Sequence, residues 1–421
     1  MKSEATGPRQ FGTIEEILGS AQVREQHRAL LLRLLWRARE TSRADLARKT
    51  GLSRSTISAI VADLLEGGLV EETHAGVSSG GRKPIVLTFC DDAHVLVGVD
   101  MGATHIGVVV TNLRAQVKGW AARPFPVRTK PLGALALIQE LIDEALAQAK
   151  APKAKVLGIG VGVPSPVHPD HPGQLLPLIL PKWADVDLLD ALQKMYGLPV
   201  FVDNDANLGA LAEAWWGEGR HANNLAFIKV AYGVGSGLII DGRIHRGQDG
   251  TAGEIGHTSL DPNGPQCVCG LRGCINTLIG TQRLLELVVE RAPKFPNSSL
   301  AGRKRPGLEH LVAGARERDP LALEIMAHVG RVLGTAIANL LNLLAPEVVV
   351  LGGGLTEAGD ALLAPILETV RATSLARPGA QTPIQVSTLG IQGIALGAAT
   401  LALEAALDDP RVFESRQRLG A

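Results

Sequence analysis

The sequence predicts an α/β protein in two parts: a small helical N-terminal domain and a larger body made of two lobes. Three observations support this organisation. Two short amphipathic helices flank a turn at Gly51 between residues 43 and 66. From Val95 onward, apolar strands alternate with glycine turns and helical stretches, as in α/β folds. The length of 421 residues exceeds one ordinary domain, and 46% apolar residues can build more than one core.

Residues 43–66 read RADLARKTGLSRSTISAIVADLLE, which is a helix-turn-helix pattern. Ser53 is placed to cap the second helix. The apolar positions of that helix are Ile57, Ile60, Val61, Leu64 and Leu65. A preceding helix is expected within residues 14–38, and its predicted buried side is Leu30, Leu31, Leu34, Leu35 and Ala38. A strand, a glycine-rich tip at 76–81 and a second strand would complete a winged helix-turn-helix domain over residues 1–90.

Short polar and basic side chains at the start of the second helix can reach base edges in a DNA major groove. The predicted DNA contacts are Ser53, Arg54, Ser55, Thr56 and Ser58 from this helix, and Arg82 and Lys83 from the wing. Between Arg24 and Phe89 eleven cations stand against seven anions, whereas the whole chain is balanced at 42 of each. The positive excess is therefore local to the predicted DNA-binding domain, which we expect to bind operator DNA as part of a homodimer or tetramer.

The N-terminal residues MKSEATGPRQ lack the apolar core of a signal peptide, and no stretch approaches 18 uninterrupted apolar residues. We therefore expect a cytoplasmic protein without a membrane partner. Three of the four cysteines lie within Cys267–Cys274. In a reducing compartment such a cluster indicates a metal site before it indicates disulfides.

The predicted metal ligands are His257, Cys267, Cys269 and Cys274. One imidazole and three thiolates suit tetrahedral zinc, and four protein ligands leave no open position, which indicates a structural ion. Gly270 and Gly273 would allow the loop to turn tightly enough for the sulfurs to converge. The alternative is a loop that carries three free or oxidised thiols.

Polar residues that follow the apolar run 199–201 predict a ligand cleft. Asn204 and Asp205 could hydrogen-bond sugar hydroxyls, and Asn207 is expected to cap the next helix. Glu254 and His257 would add further ligand contacts. The alternatives are an Asx-rich helix cap and an ordinary surface turn. Glycine turns at 100–104 and 233–237 could cradle phosphate, although plain hairpins give the same pattern.

Taken together, these motifs resemble the ROK family of repressors and sugar kinases, which share an actin-like, hexokinase-type (RNase H-like) fold. The resemblance covers about residues 24–405. It implies one lobe over 91–203, completed by a C-terminal helix at 390–421, and a second lobe over 204–389. The sugar contacts it implies are Asn204, Asp205, Glu254, His257 and Asn276, with Asp205 as the catalytic base of a kinase. The nucleotide contacts it implies are Asp100, Gly102, Thr104, Gly233, Gly235, Gly237 and Gly353.

The chain departs from the kinase pattern on the nucleotide side. Ala103 replaces the second glycine of the first phosphate turn, and Tyr232 replaces the threonine of the second. Asn276 replaces a sugar-binding glutamate but can still hydrogen-bond. Phosphoryl transfer depends on close contact with the phosphates and a bound metal, so we expect neither ATP nor Mg²⁺ as cofactor. The sequence predicts a sugar-responsive repressor of carbohydrate-utilisation genes. The alternatives are an ATP-dependent hexose kinase, alone or combined with regulation, and a DNA-binding protein with a vestigial cleft.

Overall fold

The computed structural model describes four stretches of the chain, residues 20–75, 85–303, 305–375 and 382–413. The chain divides into two compact units. One comprises the described residues up to His94 and from Leu403 onward, and the other comprises Val95–Ala402. The predicted wing contacts Arg82 and Lys83 lie outside the described residues.

The described part of the first unit combines three helices, and the end of a fourth from Leu403 onward, with a small antiparallel sheet. Its elements are α1 (Ser20–Ala38), β1 (Glu40–Ser42), α2 (Arg43–Thr50), α3 (Arg54–Glu66), β2 (Val70–Ala75) and β3 (Ile85–Phe89). The strand order is β1-β3-β2. Gly51 ends α2 at φ 72°, where an L side chain would be strained, and the Ser53 hydroxyl accepts a hydrogen bond from the Thr56 N–H to cap α3. The predicted winged helix-turn-helix is confirmed.

The buried face of α1 differs from the predicted one. Leu31, Leu32, Leu35 and Trp36 are buried, and so is the polar residue Arg28. Leu30 and Ala38, which were expected on the buried side, are both exposed. The prediction was right for Leu31 and Leu35 and wrong for Leu30 and Ala38. Several adjacent leucines fit more than one helical stripe, and Trp36, absent from the predicted set, lies on the stripe that packs.

The second unit begins with a five-stranded mixed sheet. Its elements are β4 (Val95–Met101), β5 (His105–Asn112), β6 (Val117–Pro124), α4 (Pro131–Gln148), β7 (Val156–Val163), α5 (Leu188–Tyr196), β8 (Val200–Asn204) and α6 (Asp205–Trp216). The strand order is β6-β5-β4-β7-β8. Strands β4 to β6 pair antiparallel, whereas β7 and β8 add on in parallel through helical crossovers.

A second five-stranded sheet repeats this topology. The remaining elements are β9 (Leu225–Val230), β10 (Val234–Ile240), β11 (Arg243–Ile244), α7 (Ile275–Ile279), α8 (Thr281–Arg291), α9 (Leu308–Arg316), α10 (Pro320–Leu344), β12 (Val348–Gly352), α11 (Asp360–Thr373), β13 (Ile384–Val386) and α12 (Gly393–Asp408). The order β11-β10-β9-β12-β13 again places three antiparallel strands beside two parallel ones. The predicted α/β fold with two similar strand-and-glycine lobes is confirmed.

Two helices pack closely against strands of the sheets at positions where the strand residue is glycine and has no side chain. A Cβ on Gly98 of β4 would lie 1.9 Å from the Ala395 carbonyl oxygen of α12, and one on Gly160 of β7 would lie 1.8 Å from that of Ala398. A Cβ on Gly237 of β10 would lie 2.1 Å from the carbonyl oxygen of Ala206, in α6. These close approaches bring the N-terminal end of α6 against the glycine turn of the second sheet.

Two helices, Pro320–Leu344 and Gly390–Asp408, are long and apolar enough to cross a membrane by length and composition. More than half of the apolar window is buried within the protein in each, 61% and 56% respectively. Core helices of globular proteins have this composition.

Asp319 caps the longest of these helices, α10. Its carboxylate accepts hydrogen bonds from the N–H groups of Leu321 and Ala322 at 3.0 and 3.1 Å, and from the Ser298 hydroxyl and the Ser299 N–H at 2.7 and 2.6 Å. Burial alone would raise the pKa of Asp319, but these hydrogen bonds outweigh burial and hold the pKa below its ordinary value. The ionised carboxylate therefore stabilises the fold.

Replacing Asp319 by alanine is expected to lower the free energy of unfolding by about 3 kcal/mol at pH 7, because a cap and several charge-assisted hydrogen bonds are lost together. The folded-state pKa lies below the unfolded one, so this contribution is present above about pH 4 and is lost as the pH falls through the folded value. Urea unfolding at pH 7 and pH 3 would measure both effects. Asp360→Ala is the control, because Asp360 is exposed in the first turn of α11 and is not its cap. Equal losses for the two variants would contradict the prediction.

Candidate functional site

One face of α3 is exposed and polar. Ser53, Arg54, Ser55 and Ser58 are exposed and Thr56 is half-buried. The opposite face is buried and apolar through Ile57, Ile60, Val61 and Leu64, while Leu65 is half-buried. The burial on one side orients the helix so that the five predicted contacts lie together at its exposed N-terminal end. Such a helix can insert its first turns into a major groove.

The predicted metal ligands come together in space. Nδ1 of His257 lies 3.5 Å from Sγ of Cys267, and Sγ of Cys269 lies 3.6 Å from Sγ of Cys274. All four ligand atoms lie within 4.8 Å of one another. A tetrahedral zinc ion with Zn–S bonds of about 2.3 Å requires sulfurs spaced in this way, whereas a disulfide would require about 2.05 Å. The cluster can hold a metal ion.

The loop that carries the cysteines is shaped by its glycines. Gly270 has φ 92° and Gly273 has φ 59°, and a Cβ on Gly273 would lie 1.8 Å from the Asp261 carbonyl oxygen. The Cys267 N–H donates to the Leu271 carbonyl oxygen at 2.8 Å, which closes the turn. The sequence prediction that these glycines permit convergence of the sulfurs agrees with this geometry. Nδ1 of His257 faces the thiol of Cys267.

The Asx-rich segment at the end of β8 is held by its own hydrogen bonds. Oδ1 of Asn204 accepts from the N–H groups of Ala206 and Asn207 at 2.9 and 3.2 Å, so Asn204 is the N-cap of α6. The expectation that Asn207 forms this cap is wrong. Its side chain instead donates to Oδ1 of Asp203 at 3.0 Å, one turn back. An Asx side chain caps from the residue before the helix, and the cap lies three residues earlier than expected.

Three aspartates at the cleft are each paired with a basic side chain. Oδ2 of Asp205 lies 2.5 Å from Nζ of Lys229 in β9, and the exposed fractions of the two side chains are 8% and 14%. Oδ2 of Asp100 lies 3.1 Å from Nε2 of His105. Asp203 accepts from Arg246 at 2.8 Å. Burial raises the pKa of Asp205, and the ammonium of Lys229 opposes that rise.

Glu254 and Asn276 flank the second glycine turn. Burial, helped by the charge of Asp205, raises the pKa of Glu254 to about 7. Oδ1 of Asn276 accepts from the Val234 N–H at 2.7 Å, so this amide fastens the glycine turn. A Cβ on Gly256 would lie 2.6 Å from Nδ2 of Asn276, which places the amide between that turn and the loop that precedes the metal cluster.

Two of the predicted nucleotide contacts, Asp100 and Gly353, border a cavity of about 300 Å³. A Cβ on Gly102 would lie 2.4 Å from Cε1 of His105, so the imidazole covers the first glycine turn. Gly353 has φ 96° and lies close to the backbone of Val230, where a side chain would clash. The turn at Gly233–Gly237 faces Asn276 and α6 rather than this cavity. Thr104 lines a separate pocket beside Tyr232.

Tyr232 stands at the second turn with 42% of its surface exposed. The Arg128 guanidinium carbon lies 5.8 Å from the centroid of its ring, within range of a cation–π contact. The phenol therefore borders the pocket that also contains Thr104 and Ala103. The large phenol of Tyr232 lies where the family pattern has the small hydroxyl side chain of threonine.

Sequence reasoning missed Lys229, His105 and Arg246. A lysine within the apolar strand LAFIKV was a usable signal, because a buried charge needs a partner. The other two gave no such signal, since each lies in an ordinary polar context.

The fold and the site define a class: a winged helix-turn-helix joined to a sugar-kinase-type body. A profile of winged helix-turn-helix DNA-binding domains matches residues 24–71, and the ROK family profile matches residues 96–405. The chain belongs to the ROK family. A xylose repressor of Bacillus subtilis (strain 168) is 30% identical over 393 residues, 93% of this chain and 99% of its own length.

Two further relatives differ in how much of this chain they match. A glucokinase of Halalkalibacterium halodurans is 36% identical over 302 residues, 70% of this chain and 90% of its own length. The crystal structure of a ROK family transcriptional regulator, a homologue of the Escherichia coli MLC protein, has a TM-score of 0.77 and 27% identity, and covers 94% of this chain and 99% of its own. Regulators therefore match nearly the whole chain, whereas the glucokinase matches 70% of it.

Proposed function

We propose that this protein is a sugar-responsive, DNA-binding transcriptional repressor of carbohydrate-utilisation genes. The observation that carries the proposal is the exposed polar face of α3 in the same chain as a ROK body, an arrangement that matches a xylose repressor along 99% of that relative's length. The protein acts in the cytoplasm. It binds DNA as a homodimer or tetramer, because operator half-sites one helical turn apart require two such helices.

The DNA contacts proposed are those of the helix and the wing. Ser53, Arg54, Ser55, Thr56 and Ser58 lie at the exposed start of α3. Arg82 and Lys83 follow β2 in the sequence and would contact phosphates or the minor groove. The phosphate contacts fix the register of the protein on the duplex, and the contacts from α3 read its sequence.

The sugar contacts proposed are Asn204, Asp205, Glu254, His257 and Asn276. Support comes from the position of the first two at the start of α6 and of Asn276 beside Gly256, next to the loop that carries Glu254 and His257. Structural zinc on His257 and the three cysteines would hold this loop. With Nδ1 on the metal, Nε2 of His257 would remain for a sugar hydroxyl.

The sugar regulates DNA binding if it prefers the conformation that does not bind the operator. A coupling of about 1–3 kcal/mol corresponds to about 5–150-fold in affinity. We expect one of xylose, glucose and N-acetylglucosamine to weaken binding of a duplex selected from random DNA at least fivefold, measured by fluorescence anisotropy. Strengthened binding would reverse the direction of control. No effect of any sugar on affinity or on melting temperature would contradict sugar sensing.

The second candidate function is an ATP-dependent hexose kinase, with or without regulation. Its support is the 36% identity to a glucokinase over 302 residues. A coupled assay of ADP release with glucose and ATP distinguishes the two functions. Turnover that Asp205→Asn abolishes would establish the enzyme, because the family's catalytic base falls on this residue.

A further inference from the structure

The kinases of the family imply a divalent cation and a nucleotide in this cleft. The residues present here do not fit either ligand. A metal-bound triphosphate needs carboxylates that are free to bind the metal or to face the reacting hydroxyl. Here Asp205 is within 2.5 Å of the Lys229 ammonium, and Asp100 is within 3.1 Å of the His105 ring. Each acid is already engaged by a basic side chain of the same chain.

The Lys229 ammonium forms an ion pair with Asp205 and also interacts electrostatically with Asp100. Burial would lower the pKa of Lys229, but the nearby carboxylates of Asp205 and Asp100 outweigh burial and raise the pKa above its ordinary value. The hydrogen bond with Asp100 likewise raises the pKa of His105. The ammonium thus acts on both carboxylates, and the imidazole is hydrogen-bonded to one of them. A divalent cation bound here would be repelled by the ammonium, because charges are poorly screened in this buried environment.

The glycine turn at Gly102 also argues against a bound nucleotide, because the space for a phosphate is occupied. The His105 ring lies so close to Gly102 that a Cβ there would meet its Cε1 at 2.4 Å. Phosphate-binding turns expose backbone N–H groups at this point. Oδ1 of Asp100 is buried and has no hydrogen-bond partner in the described part of the chain, so it is the carboxylate oxygen that a cation would reach if the Lys229 ammonium were absent.

We propose that Lys229 is a positioning residue that acts as a built-in cation: it holds Asp205 in a fixed ion pair and takes the charge-balancing place of a divalent metal. The cleft then binds its ligand without metal or nucleotide. This inference goes beyond the proposed regulatory function. Its test uses a metal ion alone, so its failure would leave the DNA-binding proposal unaffected.

The experiment titrates Mn²⁺ into zinc-loaded, full-length protein and follows the signal of free Mn²⁺ by electron paramagnetic resonance. Wild type is expected to bind Mn²⁺ only weakly, whereas Lys229→Met is expected to bind one Mn²⁺ at least tenfold more tightly than wild type. Lys194→Met is the matched control, since Lys194 makes a surface ion pair with Asp190 at 2.7 Å. It should behave as wild type. Equal Mn²⁺ affinity of wild type and Lys229→Met would overturn the proposal.

A second comparison covers the case in which Lys229→Met does not fold, because it leaves a buried carboxylate unpaired. Asp205→Asn and the double variant Asp205→Asn/Lys229→Met both remove the carboxylate of residue 205, so neither leaves it buried without its ammonium partner. The double variant is expected to bind Mn²⁺ at least fivefold more tightly than Asp205→Asn alone, since only the double variant lacks the ammonium that interacts electrostatically with Asp100. Identical Mn²⁺ affinities in this pair would also overturn the proposal. A purely structural role of Lys229 would change stability but not this affinity.

Discussion

Replacing Cys274 by serine is expected to remove stoichiometric zinc from the purified protein and to lower its melting temperature by at least about 5 °C. Cys274 is fully buried, and its sulfur lies 3.6 Å from that of Cys269. A hydroxyl is a poorer zinc ligand than a thiolate, and zinc binding by structural sites amounts to about 10–16 kcal/mol at neutral pH. Losing even about 3 kcal/mol of this coupling would produce such a shift in a domain of this size.

Metal content by mass spectrometry and melting by calorimetry would test this. Cys90→Ser is the control, because Cys90 is half-buried and lies in the first unit, outside the cluster. It should retain one zinc per chain. Full zinc occupancy in Cys274→Ser would show that the four residues do not form a zinc site. A normal melting temperature despite zinc loss would show instead that the metal contributes little to stability.

The metal cluster was predictable because its ligands are close together in the sequence. Three cysteines fall within eight residues and His257 precedes them by ten, so one loop brings them together without reference to the rest of the fold. Helix boundaries in the DNA-binding unit were predictable for the same reason, since Ser53 caps its helix from three residues before Thr56. Local hydrogen bonds and local spacing determine both features.

The ion pairs of the cleft were not predictable from the sequence. Asp205 and Lys229 are 24 residues apart, and they meet because α6 packs against β9 and β10 of the second sheet. The sheet order itself depends on pairings such as β9 with β12, which are more than a hundred residues apart. Neither apolar periodicity nor glycine turns specify which strands become neighbours.

The first helix shows a different limit of sequence reasoning. Leucines at 30, 31, 32, 34 and 35 allow several amphipathic stripes, and tertiary packing selects the one that includes Trp36. The position of the Asx cap shows a similar limit, because Asn204 and Asn207 are chemically equal candidates. The choice depends on where β8 ends, and that is fixed by its pairing with β7.

Replacing Arg54 by alanine is expected to weaken binding to a selected operator duplex by about 10–100-fold. Arg54 is exposed at the first position of α3, next to Ser55 and one turn from Ser58. A bidentate contact from arginine to a guanine edge contributes about 1–3 kcal/mol of discrimination. Loss of a base contact should therefore reduce specific binding more than binding to a scrambled duplex.

Fluorescence anisotropy at fixed ionic strength, with both duplexes, would measure the two affinities. Arg316→Ala is the matched control, because Arg316 is an exposed arginine of the second unit that pairs with Glu357. It removes the same charge and should leave operator affinity unchanged. A uniform loss on both duplexes for Arg54→Ala would assign Arg54 to phosphate, and the slope of log affinity against log salt should then fall by about one. An unchanged affinity for both duplexes would mean that Arg54 does not contact DNA, and it would remove the main support for α3 as the helix that reads the operator.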